Sequence, residues 1–94
     1  MSRATIRIPM PLRGYTQGAG EVPVEAGTVR EALAALGAAH AGVLERVLGP
    51  DGELRPFVNV FVGSRNVRSL DGLATPLADS DVVAIVPAVA GGLR

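Results

Sequence analysis

An alternating run at residues 57–62, Phe-Val-Asn-Val-Phe-Val, restricts the fold of this 94-residue chain more than any other segment. In an extended strand the three valines point to one side, and the two phenylalanines and Asn59 point to the other. Because Asn59 is polar, we expect the valine side to enter the core. Phe57 and Phe61 then lie partly exposed on the open side of a sheet.

The other elements follow from the same kind of periodicity. Alternation predicts further strands at residues 5–8, 21–25, 66–68 and 81–86. Pro23 favours an edge position for the second of these strands, because proline cannot donate to a neighbouring strand. Residues 9–20 are rich in proline and glycine and are expected to form a flexible loop. Thr28 and Glu31 fit a capping box that begins a helix, and a second helical stretch is expected at residues 41–48.

The predicted order is strand, strand, helix, strand, short strand, strand. This is the β-grasp (ubiquitin-like) arrangement, an α+β fold in which one main helix packs on one face of a mixed sheet. We expect residues 1–87 to form this domain and residues 88–94 to form a flexible C-terminal tail. The expected core consists of Ile6, Ile8, Val29, Leu33, Leu36, Val58, Val60, Val62, Val83 and Ile85.

Composition excludes several classes of function. The chain has no cysteine and one histidine, His40, so it offers no thiolate nucleophile and no metal site built on cysteines or on a pair of histidines. Nine basic residues balance nine acidic ones, which predicts no binding to nucleic acid or to an anionic membrane. The sequence contains neither a signal peptide nor an apolar run of membrane-spanning length, so we expect a cytoplasmic protein.

Lysine is also absent, and arginine supplies all the positive charge. A composition bias of the genome would explain this. A protein with a reactive C-terminus would also avoid amines that could capture it, and both explanations remain open.

The last four residues, Gly91-Gly92-Leu93-Arg94, are typical of a protein whose own C-terminus reacts. Glycine has no Cβ atom, so an extended Gly-Gly segment can enter a narrow enzyme channel. The two residues that follow would block chemistry at the carboxyl group of Gly92. Residues 87–92 span about 20 Å when extended, which is enough to reach a buried active site. An isolated glycine pair also occurs at frayed termini.

The residues before Gly91-Gly92 favour a reactive C-terminus over a frayed one. Residues 77–81 (Leu-Ala-Asp-Ser-Asp), the strand after them and residues 87–92 (Pro-Ala-Val-Ala-Gly-Gly) resemble the C-terminal pattern of the ThiS/MoaD family of sulfur carriers. Ser80 replaces the glycine that is usual in this pattern. The chain is most similar to the CysO branch of that family, and the resemblance covers nearly the whole length. The segments that carry it are residues 8–9, 12–13, 55–59, 71–75 and 77–79.

The resemblance implies a carrier of activated sulfide, a protein cosubstrate with no catalytic side chains and no bound cofactor. In this family an adenylating enzyme of the ubiquitin-activating type uses ATP to convert the terminal glycine carboxylate to an acyl-adenylate. Sulfur then displaces AMP and leaves a thiocarboxylate. By this resemblance Gly92 is the reactive residue, and Gly91 lets the tail pass through a narrow enzyme channel. Gly92 becomes reactive after a JAMM-type zinc peptidase cleaves between Gly92 and Leu93.

The sulfur acceptor is expected to be a biosynthetic enzyme, which in the CysO branch is a PLP-dependent cysteine synthase. Two alternatives stay open: a ubiquitin-like modifier conjugated to protein lysines, and the small subunit of a complex that resembles molybdopterin synthase.

Partner docking is expected on the open face of the sheet beside the tail, although single surface aromatics need no functional explanation. The expected docking residues are Phe57, Phe61, Val86, Pro87 and Val89. Arg65 and Arg68 are interpreted as a solvated strand edge, with contact to an acidic partner as the alternative. Asp79 and Asp81 are interpreted as caps of a turn.

Overall fold

The structure is a computed structural model, and it describes residues 1–87. Within that range the helices are α1 (Val29–Ala39) and α2 (Leu44–Val47). The strands are β1 (Ser2–Arg7), β2 (Glu21–Ala26), β3 (Val58–Val62), β4 (Arg65–Asn66) and β5 (Val82–Pro87). Three 3-10 helices occupy Met10–Thr16, Val67–Ser69 and Gly72–Ala74.

The five strands form one mixed sheet in the order β2-β1-β5-β3-β4. β1 pairs antiparallel with β2 and parallel with β5, and β3 pairs antiparallel with both β5 and β4. The last strand is therefore the central one. Pro23 lies in β2 at one edge of the sheet, as the sequence predicted.

Helix α1 begins where the capping pattern predicted. The Thr28 Oγ1 accepts a hydrogen bond from the Glu31 N–H at 3.2 Å. The Glu31 carboxylate accepts from the N–H of Gly27 at 2.8 Å, one residue earlier than a capping box requires. The buried side of α1, which includes Leu33 and Leu36, covers one face of the sheet and leaves the other face open.

The core contains nine of the ten residues expected in it. The exception is Val62, which is half-buried and packs against the core from the last position of β3. Ten further apolar residues outside the expected core are also buried: Ala4, Val22, Val24, Ala26, Ala32, Val43, Val47, Val67, Leu73 and Leu77.

The connection between β1 and β2 differs from the expected loop. Met10–Thr16 is a 3-10 helix with proline in its first turn. Thr16 is buried, and its hydroxyl donates to the Ala19 carbonyl at 2.8 Å. Local hydrogen bonds of this kind stabilise a 3-10 helix without a regular spacing of apolar residues. Hydrophobic periodicity therefore did not reveal it. Among residues 1–87, no helix is long and apolar enough to cross a membrane.

Candidate functional site

Strand β5 determines where the C-terminal segment leaves the domain. It lies between β1 and β3 and ends at Pro87, which is opposite Val58 in the register of β3 and β5. Whatever follows Pro87 therefore starts from the centre of the sheet. The predicted tail residues Val89, Gly91, Gly92 and Leu93 lie outside the described residues.

The predicted docking side chains of β3 and β5 share one surface. Val86 pairs with Asn59, and Phe61 pairs with Ala84. Since paired residues point to the same side of a sheet, these four side chains lie together on the side away from α1. Phe57 directly precedes β3, in a turn that the Val58 N–H closes by donating to the Arg55 carbonyl. We call the four paired residues, together with the adjoining Phe57, the open face.

The open face exposes apolar surface unevenly. Phe57 is 63% exposed and Val86 is 44% exposed, whereas Phe61 is half-buried. Few large apolar side chains on the described domain are exposed at all. Val86 is the residue before the end of β5, and Phe57 adjoins Val58, which pairs with Pro87. Their role in docking stays a prediction.

Asn59 is the polar centre of the open face. Its Oδ1 accepts hydrogen bonds from the Asn66 Nδ2 at 3.2 Å and from the Arg68 Nε at 3.3 Å. The Nη2 of Arg68 donates to the carbonyls of Arg55 at 2.9 Å and Val58 at 2.7 Å. Arg68 is thus held against β3 and is more than the solvated edge residue that the sequence suggested.

Arg65, by contrast, is exposed on the edge strand β4, as expected. The one signal of the Asn59 network in the sequence was a single amide side chain within an otherwise apolar strand.

The remaining polar candidates have structural roles. The Asp79 carboxylate accepts from the N–H of Arg3 at 2.9 Å, and the Asp81 carboxylate accepts from the N–H of Ala78 at 2.8 Å. Asp81 therefore caps the turn before β5, whereas Asp79 ties that turn to β1. His40 is the half-buried C-cap of α1. Within residues 1–87, no group of three His, Cys, Asp or Glu side chains is placed to hold a metal ion.

Comparison with known proteins decides the family. The model of the ThiS family matches residues 6–92. The chain belongs to the ThiS family. This confirms the resemblance read from the sequence, and the solved relatives confirm the β-grasp fold.

Three relatives of this ThiS-family chain are informative. The sulfur carrier protein CysO of Mycobacterium tuberculosis is 42% identical over 90 residues, which are 94% of this chain and 97% of CysO. Its crystal structure gives a TM-score of 0.86 at 40% identity, covering 92% of this chain and 99% of that one. A chain in the crystal structure of the Amycolatopsis orientalis BexX/CysO complex gives a TM-score of 0.88 at 37% identity, with coverage of 95% and 99%.

The third relative is small archaeal modifier protein 3 of Haloferax volcanii. It is 46% identical over 65 residues, which are 69% of this chain and 70% of that protein. The names of these relatives describe carriers and a modifier. They agree with the prediction that this chain is not itself an enzyme.

Proposed function

We propose that this ThiS-family chain is a sulfur carrier that bears a thiocarboxylate on Gly92 once Leu93 and Arg94 have been removed. The observation that carries the proposal is the family match, which extends to Gly92 and ends there. The 42% identity to a protein named as a sulfur carrier supports the same conclusion. The placement of β5 supports it as well, because the central strand holds the start of the tail on the rigid domain.

The chemistry requires activation of the Gly92 carboxylate. A carboxylate oxygen attacks the α-phosphorus of ATP, and pyrophosphate leaves, which forms an acyl-adenylate. Hydrosulfide then attacks the acyl carbon and AMP leaves with the C–O electron pair, so that a thiocarboxylate and a proton are formed. An adenylating enzyme of the ubiquitin-activating type supplies ATP and the catalytic groups. The carrier itself contributes only its terminus and a docking surface.

The domain therefore needs features for recognition and none for catalysis. The exposed apolar surface of Phe57 and Val86 lies beside the start of the tail, where an enzyme that receives the tail must also contact the domain. The BexX/CysO complex, in which a similar chain is bound to a second protein, supports binding to a partner enzyme. We expect three partners in the cytoplasm: the adenylating enzyme, a JAMM-type zinc peptidase and a sulfur-accepting synthase that uses PLP, with cysteine or another sulfur metabolite as product.

Intact-protein mass spectrometry tests the proposal. The full chain and a chain ending at Gly92 are each incubated with ATP, sulfide and the adenylating enzyme encoded in the same genome. We expect the shortened chain alone to gain the mass of an oxygen-to-sulfur exchange. A chain ending at Gly91 and a reaction without ATP are the controls. Conversion of the full chain with Leu93 and Arg94 still attached would refute the processing step, and no conversion of either chain would refute the carrier function.

A ubiquitin-like modifier is the second candidate, and the similarity to small archaeal modifier protein 3 favours it. Both functions begin with the same acyl-adenylate and differ in the nucleophile, which for a modifier is a lysine amine of another protein. Since this chain has no lysine, it cannot form lysine-linked chains with itself. Ladders of conjugates in host extracts, lost on deletion of Gly92, would indicate a modifier.

A further inference from the structure

The open face has a polar group where a docking surface is usually most apolar. Along β3, Asn59 is two residues before Phe61 and on the same side, and across the sheet it pairs with Val86. A partner that covers these two apolar side chains must also cover Asn59. The way in which Asn59 is held therefore specifies part of that partner.

The hydrogen-bond network determines which end of the Asn59 amide is occupied. The Oδ1 of Asn66 accepts from the N–H of Arg68 at 2.9 Å, so its Nδ2 is the group that reaches Asn59. The Nε of Arg68 is also a donor. Both groups require an acceptor, which assigns the Oδ1 of Asn59 to them. The Nδ2 of Asn59 is left as a donor with no hydrogen-bond partner in residues 1–87.

The surroundings of Asn59 carry positive charge. Arg68 is held in place by the carbonyls of Arg55 and Val58, and its Nη1 donates no hydrogen bond within the described domain. The ion pairs of residues 1–87 are Arg3–Glu25 and Arg30–Glu53. Thus neither Arg55 nor Arg68 has a carboxylate within ion-pair distance in that part of the chain. An anionic acceptor gains more than a neutral one beside such a group.

Covering the open face with a purely apolar surface would strand these donors away from water, which costs free energy for each unpaired group. We infer that the enzyme docking on the open face contributes a carboxylate side chain that accepts a hydrogen bond from the Nδ2 of Asn59 and pairs with Arg68. This inference rests on the proposed carrier function and names the chemistry of its docking partner. Asn66 acts as a positioning residue, because its Nδ2 donates to the Oδ1 of Asn59 and so orients that amide.

Substitution of Asn59 separates this inference from simple apolar docking. Asn59→Leu enlarges the apolar surface, so an interface based on apolar contact alone predicts equal or tighter binding. If a carboxylate of the partner instead accepts from the Nδ2 of Asn59, loss of that donor should weaken binding by about tenfold to a hundredfold. Asn59→Asp places a second anion there and should weaken binding as well. The matched control is Thr5→Leu, the same kind of change on β1, away from strand β3.

The probe is the adenylating enzyme encoded in the same genome, titrated with the chain ending at Gly92. Affinity should fall as salt is raised, and Asn59→Asp should reduce this dependence. Urea unfolding of each variant shows whether the domain stays folded. Asn59→Leu binding as tightly as the unsubstituted chain, or affinity insensitive to salt, would overturn the inference.

Failure of the inference and failure of the proposed function give different results. If the unsubstituted chain is thiocarboxylated and Asn59→Leu binds normally, only the acidic partner contact is refuted. If the unsubstituted chain neither binds the adenylating enzyme nor gains sulfur, both are refuted. Thiocarboxylation of Asn59→Leu that recovers at high enzyme concentration would support the inference, since it places the defect in docking.

Discussion

Replacement of Phe57 by alanine is the most direct test of docking on the open face. The side chain is 63% exposed. A buried aromatic side chain removes roughly 150–250 Å² from water, so roughly 125 Å² of Phe57 is available to a partner. At about 25 cal/mol per Å², full coverage is worth up to about 3 kcal/mol. A partner converts only part of this buried area into affinity, so we expect a loss of about 1–2 kcal/mol, or about fivefold to thirtyfold in Kd.

The Phe57 side chain contributes little to folding, so its replacement tests docking with little effect on stability. Because most of Phe57 is already in water, Phe57→Ala should lower the free energy of unfolding by only about 1 kcal/mol. Phe61 is half-buried, so a change there would affect folding and docking together. Calorimetric titration of the adenylating enzyme measures Kd, and urea unfolding measures stability.

The matched control for Phe57→Ala is Arg30→Ala. It truncates a side chain of similar exposure, 53%, on α1 at the opposite side of the sheet. We expect Arg30→Ala to leave Kd unchanged. Equal Kd values for Phe57→Ala and the unsubstituted chain would show that the open face does not dock this enzyme.

Three further predictions concern the core, the helix and the tail. Val60 is fully buried in β3, so Val60→Ala should lower the free energy of unfolding by about 2–3 kcal/mol in urea titrations. Thr28→Ala removes the cap of α1 and should cost about 1 kcal/mol in the same assay, while Thr28→Ser should restore most of it. Gly91→Val restricts the backbone beside Gly92 and should slow thiocarboxylate formation, measured by mass spectrometry, without a change in the unfolding midpoint.

Much of the fold could be predicted from local patterns. Alternation in residues 57–62 identified the buried faces of Val58 and Val60, because the side of a strand on which a residue lies depends only on its position along that strand. The cap at Thr28 was predictable for the same reason, since its partner Glu31 is three residues away. The 3-10 helix at Met10–Thr16 was not predictable in this way, because side-chain and turn hydrogen bonds stabilise it.

The candidate site was predictable in part. The two phenylalanines and Val86 were expected on one surface, and the register of β3 with β5 places Phe61 and Val86 there, whereas Phe57 lies in the turn before β3. The role of Arg68 was not predictable. Its partners are main-chain carbonyls of Arg55 and Val58, and no side-chain pattern marks a carbonyl as an acceptor.

The sequence by itself determined the family, the strand and helix order and the glycine that the proposal makes reactive, because these depend on residue type and spacing along the chain. Only the tertiary structure decided that β5 is the central strand and that the amide of Asn59 presents its donor on the open face. Both depend on pairing between segments distant in sequence. The amide orientation exists only because β3, β4 and the turn after β4 meet and supply two donors for one oxygen.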